Sequence, residues 1–487
     1  MNTFNKNLFL LPALLAVLSL LPAGRVTAQT FTTLYYFTAT HTNSFGVYTN
    51  GDGANPQAGL MILSGNTLYG TAYQGGSSGR GTVFAVNTDG TGFTNLHSLG
   101  GSDGAQPRAG LLLSGSTLYA TTAGTVFAVN TDGTGFTNLH SFAATSINSS
   151  GVYTNSDGAY PRGELILSGN TLYGTAESGG SSGIGTVFAV NTDGTGFTNL
   201  HSFTYSDGSH PQAGLILSGN TLYGTAEFGG SSSGNGTVFA VNTDGTGFTN
   251  LHSFTGGSDG AWPQAGLILS GNTLYGTAYF GGSSGNGTVF AVNTDGTGFT
   301  NLYSFTETSP DPTDPFGSTY INSDGAFPQG LILCGNTLCG TTAGGGSFGG
   351  GTVFAVKTNG TGFTNLFDKS GAGGNRCAGY ILSGNTLYGN TLYGTAGSCG
   401  VWGNGTVFSF SFPRPQLTLT PSGTNVLLSW PANVAGFDYT GYTLQSTTNL
   451  VSPAVWSTNS PAPVVLAGQN TVTNPLTGAQ KFYRLVQ

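Results

Sequence analysis

Short apolar runs alternate with Gly-, Ser-, Asn- and Asp-rich breaks over most of the chain, and the repeating part shows no helical period. The clearest unit is Gly214–Phe254, GLILSGNTLYGTAEFGGSSSGNGTVFAVNTDGTGFTNLHSF. LILS and TLYGTA flank Gly219-Asn220, and TVFAVN and GFTNLHSF flank Asp244-Gly245. Both breaks are tight-turn pairs that tolerate positive φ, so each unit predicts two β-hairpins separated by a Gly/Ser loop. Four strands of about six residues follow, rich in the β-branched and aromatic types that suit a pleated surface.

The GTVF signature begins at Gly81, Gly124, Gly185, Gly236, Gly287, Gly351 and Gly405, at spacings of 43, 61, 51, 51, 64 and 54. Four-stranded units at periods of about 40–50 residues read as propeller blades. The strand that should follow Asp-Gly is offset: it appears first as FTTLYYF from Phe31 and is missing after TVFSFSF, where Pro413 intervenes. The expected fold is therefore all-β, a seven-bladed β-propeller over residues 29–412 whose N-terminal strand closes the last blade. A solenoid would instead need capping repeats, and none is evident. Residues 413–415 read as a linker. Residues 416–487, with NVLLSWPA, GYTLQSTTNL and KFYRLVQ, read as a small β-sandwich module resembling a fibronectin type III or immunoglobulin-like domain.

Residues 1–28 have the form of a secretory signal peptide: Lys6, an apolar run from Leu8 to Leu21, and Val26-Thr27-Ala28 before the cut. The expected location is secreted, extracellular or at the cell surface. The apolar run is too short for a membrane span of about 20 residues, and no other run is long enough. Removing Lys6 and Arg25 from 11 Lys and Arg leaves an acidic chain against 19 Asp and Glu, with only 6% charged residues overall. No basic stripe exists, which excludes nucleic acid and anionic membrane as partners. Export permits disulfides. Cys377 and Cys399 flank the first hairpin of the seventh unit and are expected to pair; Cys334 and Cys339 flank a turn diagonally. That seventh unit also carries a five-residue duplication, NTLYG at Asn385–Gly389 and again at Asn390–Gly394.

The unit NTLYGTA…GGxxGxGTVFAVNTDGTGFTNLHSF resembles the GloVer tandem repeat of exported bacterial "choice-of-anchor" proteins. The resemblance covers residues 31–412 and implies an exported β-propeller with a variable C-terminal sorting or anchoring module. It implies no activity and no site residues, and no C-terminal hydrophobic anchor is recognised here. A looser, kelch-like feature is the Gly-Gly pair between the second and third strands.

Candidate chemistry is sparse. His97, His140, His201 and His252 share one strand position with Tyr35, Tyr303 and Phe367, so that slot takes a flat ring rather than a base or metal ligand. Asp52, Asp103, Asp157, Asp207, Asp259 and Asp324 recur before each first strand and read as Asx-turn residues. A ring of single carboxylates lacks the six to eight oxygens that Ca²⁺ needs. No nucleophile elbow, His–carboxylate pair, metal-ligand set or cofactor motif is evident. Variation concentrates instead at one end of each unit. The connection AxP or SxP carries Asn55, Gln106, Tyr160, His210, Trp262 and Phe327, and the Gly/Ser loops add Tyr73, Phe228, Tyr279, Phe280 and Trp402. These rings either pack between blades or form a rim for a neutral, extended ligand, a polysaccharide or other cell-surface component. Two functions remain: a non-catalytic binding or structural surface protein, and a polysaccharide lyase or hydrolase. Charged residues converging on the propeller centre would favour the enzyme.

Overall fold

The computed structural model describes residues 30–486 apart from 58–61, 232, 316, 369–379, 382–386, 389–390, 398–399, 412–414, 435–436, 439–441, 449–454, 459–461 and 476–480. The expected signal peptide and the expected Cys377–Cys399 bond lie outside the described residues. The chain divides into two compact units, one holding Thr30–Phe412 and the other Pro413–Val434 with Asp438–Gln487.

The fold is all-β and propeller-like, with many four-stranded antiparallel sheets. In the fourth sheet, Ile216–Ser218, Thr221–Ala226, Thr237–Asn242 and Thr249–Ser253 pair in chain order. The innermost strand is only three residues, shorter than the expected six, because the segment before it, Gln212–Leu215, bends away from the pairing. Gly219 opens the first turn at φ 58°, the positive angle that a two-residue hairpin needs at that place. In the second turn Asp244 Oδ1 accepts bonds from Thr246 N at 2.9 Å and Thr246 Oγ1 at 2.7 Å, which explains Asp-Gly-Thr there. Gly224 has no side chain because the Phe239 ring lies across it: an added Cβ would sit 2.6 Å from Phe239 Cζ.

Neighbouring sheets stack through the faces of their middle strands. Tyr173, Val187 and Ala189 of the third sheet pack on Leu222, Ala226, Phe239 and Val241 of the fourth, all buried. The same cluster recurs between the fourth and fifth sheets and between the fifth and sixth. Thr30–Tyr36 pairs antiparallel with Thr406–Ser411, the pairing that the repeat's offset predicts. Phe37 and Val407 then pack with Leu68, Ala72, Phe84 and Val86 of the first sheet.

The connection insertions form two-stranded ribbons, His41–Thr42 with Tyr48–Thr49, Ser146–Ile147 with Tyr153–Thr154, and Ser309–Pro310 with Tyr320–Ile321. Each lies on the Gly/Ser loop of the sheet it precedes, as Tyr48 lies against Gly79. Connections and Gly/Ser loops therefore share one end of the unit. Cys334 and Cys339 are free thiols, with Cys339 buried.

The second unit contains a four-stranded sheet, Thr418–Ser422, Asn425–Pro431, Gln469–Pro475 and Val464–Leu466, and a three-stranded one, Ser457–Thr458, Thr443–Thr447 and Phe482–Val486. Leu428, Trp430, Leu444 and Val472 are buried in it. Its two- and three-residue edge strands are too short to read from the sequence. Among the described residues no helix is long and apolar enough to cross a membrane.

Candidate functional site

The repeated His–Asp geometry corrects the expectation that His has no carboxylate partner. His97, His140, His201 and His252 meet Asp103, Asp157, Asp207 and Asp259 at 3.0–3.2 Å. The signal was present as two recurring series, one in the outer strands and one in the connections, but the partners are joined only when the outer strand meets the following connection. Each His also stacks on a Phe of the next sheet, His252 on Phe299 at 3.6 Å. Burial holds the His252 imidazole below its ordinary pKa, against the pull of Asp259. Tyr35 and Tyr303 take the same place, stacking on Phe93 and Phe363 and donating to Asp52 and Asp324. The carboxylates do not close local Asx turns. They accept bonds from the end of the preceding outer strand, as Asp157 does from Ala143 N at 2.9 Å. A device repeated in both His and Tyr form is a latch between sheets.

Symmetry breaks at the innermost strands. A cavity of about 660 Å³ lies among them, lined by residues of sheets one to six. Buried threonines set its wall: Thr71 Oγ1 donates to Ala109 O at 3.2 Å and Thr175 Oγ1 to Ala213 O at 2.9 Å, from each sheet to the next. These bonds fix the residue just before each carbonyl. The residue after each connection's proline is Gln57, Gln212, Gln264 or Gln329 in four sheets, whereas the second and third carry Arg108 and Arg162. Two positions on, the wall is glycine at Gly110, Gly214 and Gly266, but Glu164 in the third sheet. Further along it is apolar, with Ile166, Ile268 and Ile332.

Residues at the ends of the second strands complete the polar end. Arg162 Nε pairs with Glu177 at 2.8 Å. Gln212 donates to Glu227, and Gln264 donates to the same carboxylate at 2.6 Å. Arg108 donates to Tyr73 OH at 3.0 Å, with its guanidinium 4.7 Å from the Tyr73 ring centre. Burial pushes the Glu227 carboxyl up, partly offset by the bond from Gln264. Glu164 is half-buried where it lines the cavity, and desolvation pushes its carboxyl up to about 7. Arg108, Arg162, Glu164, Glu177 and Glu227 were not singled out from the sequence. Their only signal was single-letter departures from Pro-Gln-Ala-Gly and Thr-Ala-x in otherwise regular repeats.

The expected aromatic residues divide into groups. Six rings form one continuous arc over sheets four to six. His210 meets Phe228 at 5.5 Å, Phe228 meets Trp262 at 5.2 Å, and Trp262 meets Phe280 at 4.7 Å. Phe280 and Tyr279 both lie 5.2 Å from Phe327. Tyr73 belongs to the Arg108 side of the cavity instead. Tyr160 and Trp402 stand outside the arc, 53% and 61% exposed.

Asn55, Gln106, Tyr160, His210, Trp262 and Phe327 all have φ between 51° and 63°. The kink is pinned by the backbone, since Trp262 N donates to Asn235 O at 2.8 Å and His210 N to Ile184 O at 2.8 Å. A side chain there costs on the order of 1–2 kcal/mol relative to glycine. Large rings stand at this costly position in sheets three to six, an outlier that points to function. Tyr160→Gly should therefore raise stability by about 0.5–1 kcal/mol, strain relief exceeding the added freedom of the unfolded chain. A lower urea midpoint in that variant would contradict the strain.

The Gloeobacter/Verrucomicrobia repeat family matches residues 24–155, 122–235 and 145–328, which together span more than half of the chain. The chain belongs to this family. No curated protein matches it. Among solved structures, this family member is similar to the extracellular domain of a hybrid two component system from B. thetaiotaomicron, at 11% identity and TM-score 0.47. That match covers 89% of this chain and 48% of the other, so the chain spans about half of that relative's length. It is also similar to an oligogalacturonate lyase in complex with manganese, at 12% identity and TM-score 0.45, covering 80% of this chain and 97% of that one. Likeness at this level carries no argument about activity or substrate.

Proposed function

We propose that this protein is an exported, non-catalytic glycan-binding protein of the cell exterior. In this reading the repeat sheets are the seven blades of a closed propeller, and residues 416–487 are a fibronectin-like spacer or attachment module. Export rests on the signal-peptide pattern of residues 1–28. The observation that carries the binding role is the six-ring arc from His210 to Phe327 beside the polar end of the cavity. Aromatic faces with polar edges suit the alternating apolar and hydroxylated faces of sugar rings.

One observation favours the second reading, a polysaccharide-active enzyme. Charged groups do converge on the centre, and Glu164 has a carboxyl poised near neutral pH. Release of reducing ends or unsaturated products across a polysaccharide panel would select that reading. The binding proposal expects retention without turnover in affinity electrophoresis. It further expects that changing Trp262 and Tyr279 together to Ala abolishes retention with the melting temperature lowered by no more than a few degrees. If the wild type is retained by no glycan, the proposal fails; if the double variant unfolds, the rings are packing elements.

A further inference from the structure

We infer that the polar end of the cavity is a carboxylate-binding subsite, and that the glycan end it takes is an acidic sugar, a uronate. This rests on the glycan-binding reading and sharpens it. The argument begins with the two arginines. They stand in the segments that lead into adjacent innermost strands, at the place where Gln57, Gln212, Gln264 and Gln329 stand in other sheets. They are near enough to interact: burial disfavours the charge on Arg162 most, Arg108 adds to that, and Glu177, Tyr73 and Glu227 oppose it. Two like charges side by side in a partly desolvated pocket are unfavourable unless anionic groups lie close to them.

Glu177 and Glu227 offset the charge on Arg162, but the hydrogen-bonding capacity of the two guanidiniums is only partly used. Glu177 takes Arg162 through Nε alone. The partner of Arg108 is the neutral Tyr73 hydroxyl, reached through a terminal nitrogen. Glu227 is held by Gln212 and Gln264 rather than by either arginine. The remaining guanidinium donors offer the planar fork that matches a carboxylate with two parallel bonds. The site lies within the cavity of about 660 Å³, beside the wall at Gly110 and Gly214. The adjoining arc would carry the following sugars.

The test uses the full-length mature chain and calorimetric titration. The probes are uronate oligosaccharides from alginate, pectate and hyaluronan, each paired with its carboxyl-reduced, neutral counterpart, and a sulfated oligosaccharide. We expect at least one uronate to bind tenfold or more tightly than its reduced form and than the sulfated probe. Arg108→Gln and Arg162→Gln install the residue that other sheets already carry, so folding should be retained. Each should erase the preference for the acidic form while leaving the melting temperature within a few degrees. Equal binding of every acidic and reduced pair, or a preference that survives both substitutions, would overturn the carboxylate subsite while leaving glycan binding intact. Preference for sulfate over carboxylate would likewise overturn it. No binding of any probe, acidic or neutral, would end both readings.

Discussion

Deleting residues 30–37 should unfold the larger unit or drive it to aggregate. Thr30–Tyr36 is the outer partner of Thr406–Ser411, and its loss leaves that edge of TVFSFS unpaired. Phe37 is 1% exposed and contacts the Phe84 ring at 5.3 Å, so it joins the last sheet to the first. Removing a buried Phe side chain alone costs about 3–5 kcal/mol, a large share of the 5–15 kcal/mol that holds a typical domain folded. The deletion loses the strand's backbone bonds as well. Thermal unfolding followed by circular dichroism, with light scattering for aggregation, would show the effect. An unchanged melting curve would mean that the first strand is dispensable.

The second large effect is a pH-dependent penalty at Glu164. Its carboxyl moves from 4.5 to about 7 on folding, so the folded protein binds the proton more tightly than the unfolded chain. The associated stability is fully present below pH 4.5 and is lost as pH rises to 7, above which the penalty is constant. One pKa step is worth about 1.4 kcal/mol, and water in the cavity reduces the full amount, leaving about 1–3 kcal/mol at pH 8. Glu164→Gln should be more stable than the wild type by that amount at pH 8, and no more stable at pH 4. Glu227 adds a slope of the same sign, so the difference between variant and wild type isolates Glu164. Denaturant midpoints that stay parallel from pH 4 to 8 would contradict the shift.

Much of the architecture was legible because it is local. Asp-Gly-Thr closes its hairpin with its own side chains, Gly219 supplies its own positive φ, and the missing last strand could be counted. What was not legible depends on sheets meeting. His140 and Asp157 bond although neither fixes the other's position locally. Arg108 and Arg162 lie 54 residues apart, and only the stacking of consecutive sheets brings them to one cavity. The left-handed backbone before each proline was hidden for a different reason: Tyr160, His210, Trp262 and Phe327 are residue types that do not announce positive φ. The aromatic positions were found by their variability. Which of them touch was decided by the Ser209–Phe228 and Ala261–Phe280 bridges, which set Phe228 and Phe280 beside the connections.

The central claim is that ligand lies on the arc at Trp262, and tryptophan fluorescence tests it most directly. The chain has 4 Trp, at 262, 402, 430 and 456. Titrating the protein with the glycan that retains it best in electrophoresis should give a saturable change in emission. Trp262→Phe puts the side chain of Phe327 at the equivalent kink and should remove that change, while Trp402→Phe should keep it. A saturable change that persists in Trp262→Phe, or that disappears only in Trp402→Phe, would place the ligand elsewhere and contradict the account.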